Sequence, residues 1–453
     1  MSSQAEQFRK AVEDASLEFA SLDSSASYVM LFVERTVDAI PSALYLSHFF
    51  VKRNLSFGLR FVDPLSSQPV TGDYAGAKLT LGCFDTLSES FSEAIEISSS
   101  SYCSAHSRLV LNPHLFGLNG VAVCSVPVLV HLLLKDWTDV PPVLIHMLAA
   151  SSLASQQTID VDKLAGFNAE MMASFVSEGR LRKVGGLKIP LSEGLELSEA
   201  LSLTVEPFVP GVTGDRKGAR SFVNQLIHRA QLKKSGGIIA GNEAALVSEW
   251  VSKLRAQAGF DSVSEQELVG SVIFSDSVPP ELPYRSLVGM AHLVEALVSM
   301  GEYPLLFRMV YQNTQEVHEK MYATLLEYAS QVSNGVKQVL QAQEYISEAQ
   351  NAIHVLSPQG VNRQSAMRVA KTLSRHTVAR GKPVMLVVTT DSTSYIAGAT
   401  SRVDVSFDLG KIFATTARKY KGSGRGSSFA SEAIIPSKFV EGFLDEVDLH
   451  LKS

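Results

Sequence analysis

The stretch FVERTVDAIPSALYL, residues 32–46, sets the architecture. It begins inside YVMLFV (28–33), an uninterrupted apolar run of strand length, and ends inside SALYLSHFFVKR (42–53), where apolar residues recur at helical spacing. Pro41 lies at the entry to that helix, where its fixed φ and missing N–H are tolerated. A continuous apolar strand that passes through a short loop into a helix opens a parallel sheet covered by helices. Groups in such a loop stand at the carboxyl end of the strand, where open α/β sheets hold their ligands. The loop is sparsely furnished, with Glu34, Thr36 and Asp38. Read alone, Thr36 or Asp38 caps the following helix.

The same alternation continues through the first third of the chain. Strands are expected at SFGLRFV (56–62), AKLTL (77–81), AIEI (94–97) and RLVL (108–111), with a helix at TLSESFSEA (86–94). GVAVCSVPVLVHLLL (120–134) is shorter than the roughly 20 residues that span a bilayer and carries Pro127 and His131, so it reads as a buried helix. From PPVLIHMLAASSL (141–153) onward the period turns helical, over 161–176, 217–232 and 243–258. A long helical pattern over 314–343, broken only by Gly335, reads as a helix crossing between two lobes. The last part returns to α/β. It has strands at 352–356, 383–390, 393–400 and 432–436, helices at 362–376 and 437–447, and a glycine-rich turn GSGRGSS (422–428) after VSFDLGKIFATTARKY (405–420). The divisions expected are 1–178, 179–313 (mainly helical), 314–345 (a connecting helix) and 346–453.

Composition narrows the class. Of 453 residues, 45% are hydrophobic and 19% charged, which suits large cores and excludes a disordered chain. A net charge of −6 means that nucleic-acid contact has to come from a local patch. Three scattered cysteines (Cys83, Cys103, Cys124) make no disulfide framework and imply a reducing compartment. Without a CxxC pair, Cys83, Cys103 and His106 read as ordinary packed side chains in preference to metal ligands. The amphipathic N-terminus (1–20) is not a signal peptide, so a cytoplasmic protein without membrane contact is expected.

Beyond the first loop, two more places are candidates. The turn GSGRGSS, with Arg418, Lys419, Lys421, Gly422, Gly424 and Arg425, has the glycines and cations of a phosphate-contacting turn. The runs RLRKVGGLK (180–188), RKGAR (216–220) and HRAQLKK (228–234) are basic, although such runs are usually solvated helix faces. No P-loop, HExxH, GxSxG or dinucleotide fingerprint occurs.

Several longer stretches resemble the RecJ-like DHH phosphoesterases, above all their archaeal GINS-associated nuclease branch. LVLNPHLFGLNG followed by VAVCSVPVLVHLLL (109–134), LAGFNAEMM (164–172), ALSLTVEPFVPGVTGD (200–215), and FDLGKIF with GSGRGSSFASEAIIP follow that family's motifs in order. The resemblance implies an N-terminal parallel-sheet DHH-like domain, a helical middle section, a long connecting helix and a C-terminal α/β DHHA1-like domain. Active members hold two divalent cations, one activating water and the other steadying the leaving oxygen. At the corresponding positions this chain has Glu34, Thr36 and Asp38 in the first motif and Gly82 in the second. Ser98, Ser99 and Ser100 replace the DHH triplet, and the last motif falls at Ser155 and Gln156. Hydroxyls and a single surviving aspartate do not hold a binuclear centre, so neither metal nor other cofactor is expected. A RecJ-like chain with such a site resembles the cell division control protein forty-five family. That implies a non-catalytic replication subunit bridging the GINS complex and the MCM helicase at replication forks, with single-stranded DNA as a further candidate ligand. Two alternatives stand beside it. One is a residual metal-dependent single-strand nuclease or small phosphoesterase using Asp38, Asp85 and His106. The other is a scaffold that binds GINS and no DNA.

Overall fold

The computed structural model describes residues 3–25, 28–63, 65–66, 76–82, 94–100, 109–137, 139–155, 160–191, 194–206, 208–209, 211–230, 248, 252, 269–341, 343–357, 360–375, 381–401 and 406–451. Five short strands, β1 (Tyr28–Glu34), β2 (Ser56–Val62), β3 (Ala77–Leu81), β4 (Ile95–Ile97) and β5 (Leu109–Leu111), form a wholly parallel sheet in the order β2-β1-β3-β4-β5. Val33 lies opposite Phe61 and Leu81, so β1, β2 and β3 end level with one another. The helix Ala39–Lys52 is apolar almost all round and is buried accordingly. The helix Pro142–Ala154 packs beside it and is equally enclosed.

The apolar run at 120–134 is two helices, Gly120–Val123 and Val126–Leu133. Ser125, following Cys124, separates them. Its N–H and hydroxyl both donate to Asn168 Oδ1 at 3.0 Å, a tertiary interaction that the local pattern does not reveal. Likewise the pattern at 161–176 becomes a turn capped by Asp160 and then the helix Gly166–Ser177. RLRKVGGLK is not a helical face. It supplies β6 (Arg182–Leu187), antiparallel to β7 (Val269–Phe274), and the partner is too distant in sequence for a window to find. The helix expected at 243–258, and that at 86–94 up to residue 93, fall outside the described residues, apart from the single positions 248 and 252.

The helix Gln315–Gln341 runs about 40 Å at 1.5 Å per residue. It buries Val317, Met321, Leu325, Tyr328, Val332, Val336 and Val339, three or four residues apart, along one stripe. That stripe packs on the helices Leu287–Ser299 and Arg363–Arg375. A second, mixed sheet follows: β8 (Ile346–Glu348), β9 (Ile353–Leu356), β10 (Val384–Thr389), β11 (Thr393–Ala399), β12 (Ser423–Gly426) and β13 (Ala430–Pro436). Its order is β12-β13-β11-β10-β9-β8. Period-2 alternation divides its side chains. Val384 and Leu386 join the main core, whereas Met385 and Val387 meet Phe413 and Phe443 of the helices Leu409–Lys419 and Val440–His450. GSGRGSS is thus an edge strand, not a turn. A Cβ on Gly424 would strike the Phe413 carbonyl, and one on Gly422 that of Ile434, so both glycines are accounted for by packing.

One polar knot ties the middle helices to this half. Arg368, 3% exposed, donates Nε and Nη2 to the two oxygens of Glu295 and Nη1 to Glu206 Oε2 at 2.8 Å. Burial works to raise the Glu295 carboxyl, and Arg368 outweighs it and holds it below its ordinary range. Removing the guanidinium leaves two acids with little water. Arg368→Met should therefore cost about 3–5 kcal/mol in urea unfolding. A loss below about 1 kcal/mol, the range of exposed pairs, would show that the acids are solvated.

Candidate functional site

The carboxyl ends of β1, β3 and β4 open into a cleft of about 660 Å³ beneath the second sheet. Its floor includes Glu34, Thr36, Asp38, Gly82 and Ser98–Ser100, and its roof Arg363, Tyr395, Arg425, Ser427 and Glu432. The first loop is built as a helix cap. Asp38 Oδ1 accepts from the Thr36 hydroxyl at 2.6 Å and from the Ala39 N–H at 2.9 Å. The Asp38 carbonyl accepts from the Ser42 hydroxyl at 2.6 Å.

Glu34, the last residue of β1, points into the cleft and is buried. Gly82 faces it with φ +109°, and any Cβ there would run into the Glu34 side chain. The carboxylate of β1 thus fills the space that a side chain after β3 would need. Ser98 and Ser99 are buried, and the Ser100 N–H donates to Ser98 Oγ at 3.2 Å.

The cation opposite Glu34 comes from the second sheet. Arg425 on β12 donates Nη1 to Glu34 Oε1 and Nε to Glu432 Oε1, the latter at 2.8 Å. Glu432 is its cross-strand partner on β13, and Tyr395 on β11 donates to the other Glu432 oxygen at 2.7 Å. Burial pushes the Glu34 carboxyl up to about 7, and Arg425 opposes the rise. The two carboxylates in turn push the Arg425 guanidinium upward against its own desolvation. At 26% side-chain exposure, Arg425 is mostly enclosed.

A second ion cluster stands at the mouth. Asp63, just after β2, accepts from Arg35 at 2.8 Å and from Arg363, the first residue of its helix, at 3.2 Å. Burial works against the Asp63 charge, but the Leu65 N–H, Arg363 and Arg35 outweigh it and lower the carboxyl. Asn119 donates to the Ser428 hydroxyl at 3.3 Å, and the Ser100 hydroxyl to the Gly426 carbonyl at 3.4 Å. These named contacts between the first sheet's loops and the second sheet are polar throughout.

The structure brings Thr36, Asp38, Gly82 and Ser98–Ser100 together on the cleft floor with Ser155, while Gln156 lies outside the described residues. So do Cys83, Asp85, Cys103 and His106. The six residues of the glycine-rich segment do not form one patch. Arg425 alone among them lines the cleft. Lys419 pairs with Glu446 Oε2 at 2.6 Å, on the helix Val440–His450. Arg35, Asp63, Arg363 and Glu432 went unnoticed in the sequence. Three hundred residues separate Asp63 from Arg363, and no local motif marks either.

A pair of divalent cations, which the sequence resemblance implies for active relatives, does not fit these residues. Glu34 is engaged by a guanidinium, one Asp38 oxygen is used as a cap, and Gly82 and the serines bring no charge. A dication beside Arg425 would also meet like charge at close range. Among the described residues no group of three or more His, Cys, Asp and Glu side chains converges as metal ligands. Nor is any described helix long and apolar enough to cross a membrane.

No family model matches the sequence, and neither does any curated protein. Among solved structures, CDC45 from Entamoeba histolytica superposes with a TM-score of 0.62 at 14% identity, covering 98% of this chain and 99% of that one. RecJ from Thermus thermophilus in complex with Mn2+ gives 0.49 at 11% identity, over 98% of this chain and 54% of that one. An exonuclease RecJ bound to manganese gives 0.46 at 12% identity, over 98% and 94%. The chain therefore has the fold of CDC45, a RecJ-like α/β architecture matched over 98% of its length.

Proposed function

We propose that this chain is a non-catalytic DNA replication factor, a RecJ-like subunit of a replicative helicase assembly. In this reading it bridges the GINS complex and the MCM helicase at replication forks, with single-stranded DNA passing its cleft. The observation that carries the reading is the Glu34–Arg425–Glu432 bridge. A side-chain cation from one sheet neutralises a buried acid of the other at the position where hydrolysis would require a metal-activated water. In this reading the cleft serves to present the surfaces of the two halves that meet there. The likeness to CDC45 supports a place in replication, and the ordered sequence motifs supply GINS and MCM as the partners to test.

The reading makes two expectations. Millimolar manganese should neither raise the melting temperature nor promote digestion of a single-stranded oligonucleotide, since a ligand that binds the native state has to stabilise it. Manganese-stimulated digestion abolished by Asp38→Ala would overturn the non-catalytic assignment. In pull-downs, the immobilised chain should retain the purified GINS complex and MCM. Retention of neither would remove the replisome assignment and leave the fold untouched.

A further inference from the structure

The ion cluster at the cleft mouth differs from the bridge inside it. Arg425 has two acidic partners, whereas Arg35 and Arg363 share the single carboxylate of Asp63. The outer trio has more guanidinium than carboxylate groups, the inner one more carboxyl than guanidinium groups. The outer arginines are also the accessible ones, with side chains 40% and 47% exposed against 26% for Arg425. Each donates to Asp63 through one nitrogen, Nη2, and a guanidinium has five N–H donors in a planar fork suited to a phosphate. The two stand on opposite sides of the cleft, Arg35 after β1 and Arg363 at the start of its helix. The Arg363 guanidinium lies 5.5 Å over the Tyr395 ring, which limits its swing.

We infer that Arg35 and Arg363 form a split phosphate-binding site for the backbone of single-stranded DNA, with Asp63 standing in for the phosphate when no strand is bound. The inference rests on the proposed DNA contact and deepens it. It assigns the contact to the cleft mouth, and not to the basic segment of Lys419 and Lys421, and it makes the site self-masked. A strand bound there bridges the two halves as Asp63 does and replaces a carboxylate with a group of the same charge and similar reach. Arg425 takes no part, being held between the two carboxylates of Glu34 and Glu432.

The test is fluorescence anisotropy of the full chain with a labelled oligothymidylate over a salt series. Urea melts of each variant confirm folding. Asp63→Asn should tighten binding about fivefold by removing a half-buried competitor for both arginines. Arg35→Gln and Arg363→Gln should each weaken it, and together should lower the log–log salt slope by about 0.7, the value for one phosphate contact on a single strand. Lys419→Gln with Lys421→Gln should leave both readings unchanged. Thymidine monophosphate at equal nucleotide concentration should compete poorly, since the two arginines are assigned to a strand. Weaker or unaltered binding by a folded Asp63→Asn variant would overturn the assignment. So would an effect of the lysine pair equal to that of the arginine pair, or full competition by the mononucleotide. Retention of GINS and MCM with no oligonucleotide binding by any variant would overturn this inference alone. Failure of both assays would overturn the parent reading too.

Discussion

The arrangement depends on one charge, the Arg425 guanidinium held between Glu34 and Glu432. An acid at the buried end of a parallel strand is tolerated only if it is neutralised or given a cation. Glu34 has its cation from a strand almost four hundred residues away. Several local features follow. Gly82 lacks a side chain because the Glu34 carboxylate occupies that space. β12 lies flat on the helix Leu409–Lys419, which its glycines permit, and this height aims Arg425 at the cleft. Glu432 and Tyr395 lock the guanidinium from the roof.

This wiring also separates stability from function. The main apolar core runs from the N-terminal sheet through the middle helices to one face of the second sheet. Direct contacts across the cleft are instead ion pairs and hydroxyl or amide hydrogen bonds. Polar contacts of this kind exchange with water or with an incoming anion far more readily than packed side chains do. A fold whose cores are dry and whose cleft is wet can keep its shape while the cleft changes partners. That suits the role in assembly proposed above.

Much of the scaffold was legible. All five strands of the first sheet and four strands of the second coincide with apolar runs to within two residues, because a strand buried on both faces shows as a short continuous run. Helix ends were less visible where a tertiary partner decides them, as Asn168 does at Ser125. The two segments misread outright, RLRKVGGLK and GSGRGSS, are both glycine-containing strands. Their local propensity favours a turn or a solvated face. Pairing with β7 and β13 overrides it, because a backbone that finds a complete ladder gains hydrogen bonds no isolated segment can make.

The site divides in the same way. By itself the sequence determined the cleft floor's poverty in carboxylates, since Glu34, Thr36, Asp38, Gly82 and Ser98–Ser100 are identities that no folding can alter. It also determined that they follow strands and so gather at one sheet edge. Only the tertiary structure decided what fills the cleft. That Arg425 faces Glu34 while Lys419 turns to Glu446, and that Asp63 draws Arg35 and Arg363 together, depends on how the second sheet sits over the first. Coulomb pairing acts over a few ångströms of space and is blind to distance along the chain, so no stretch of sequence announces it.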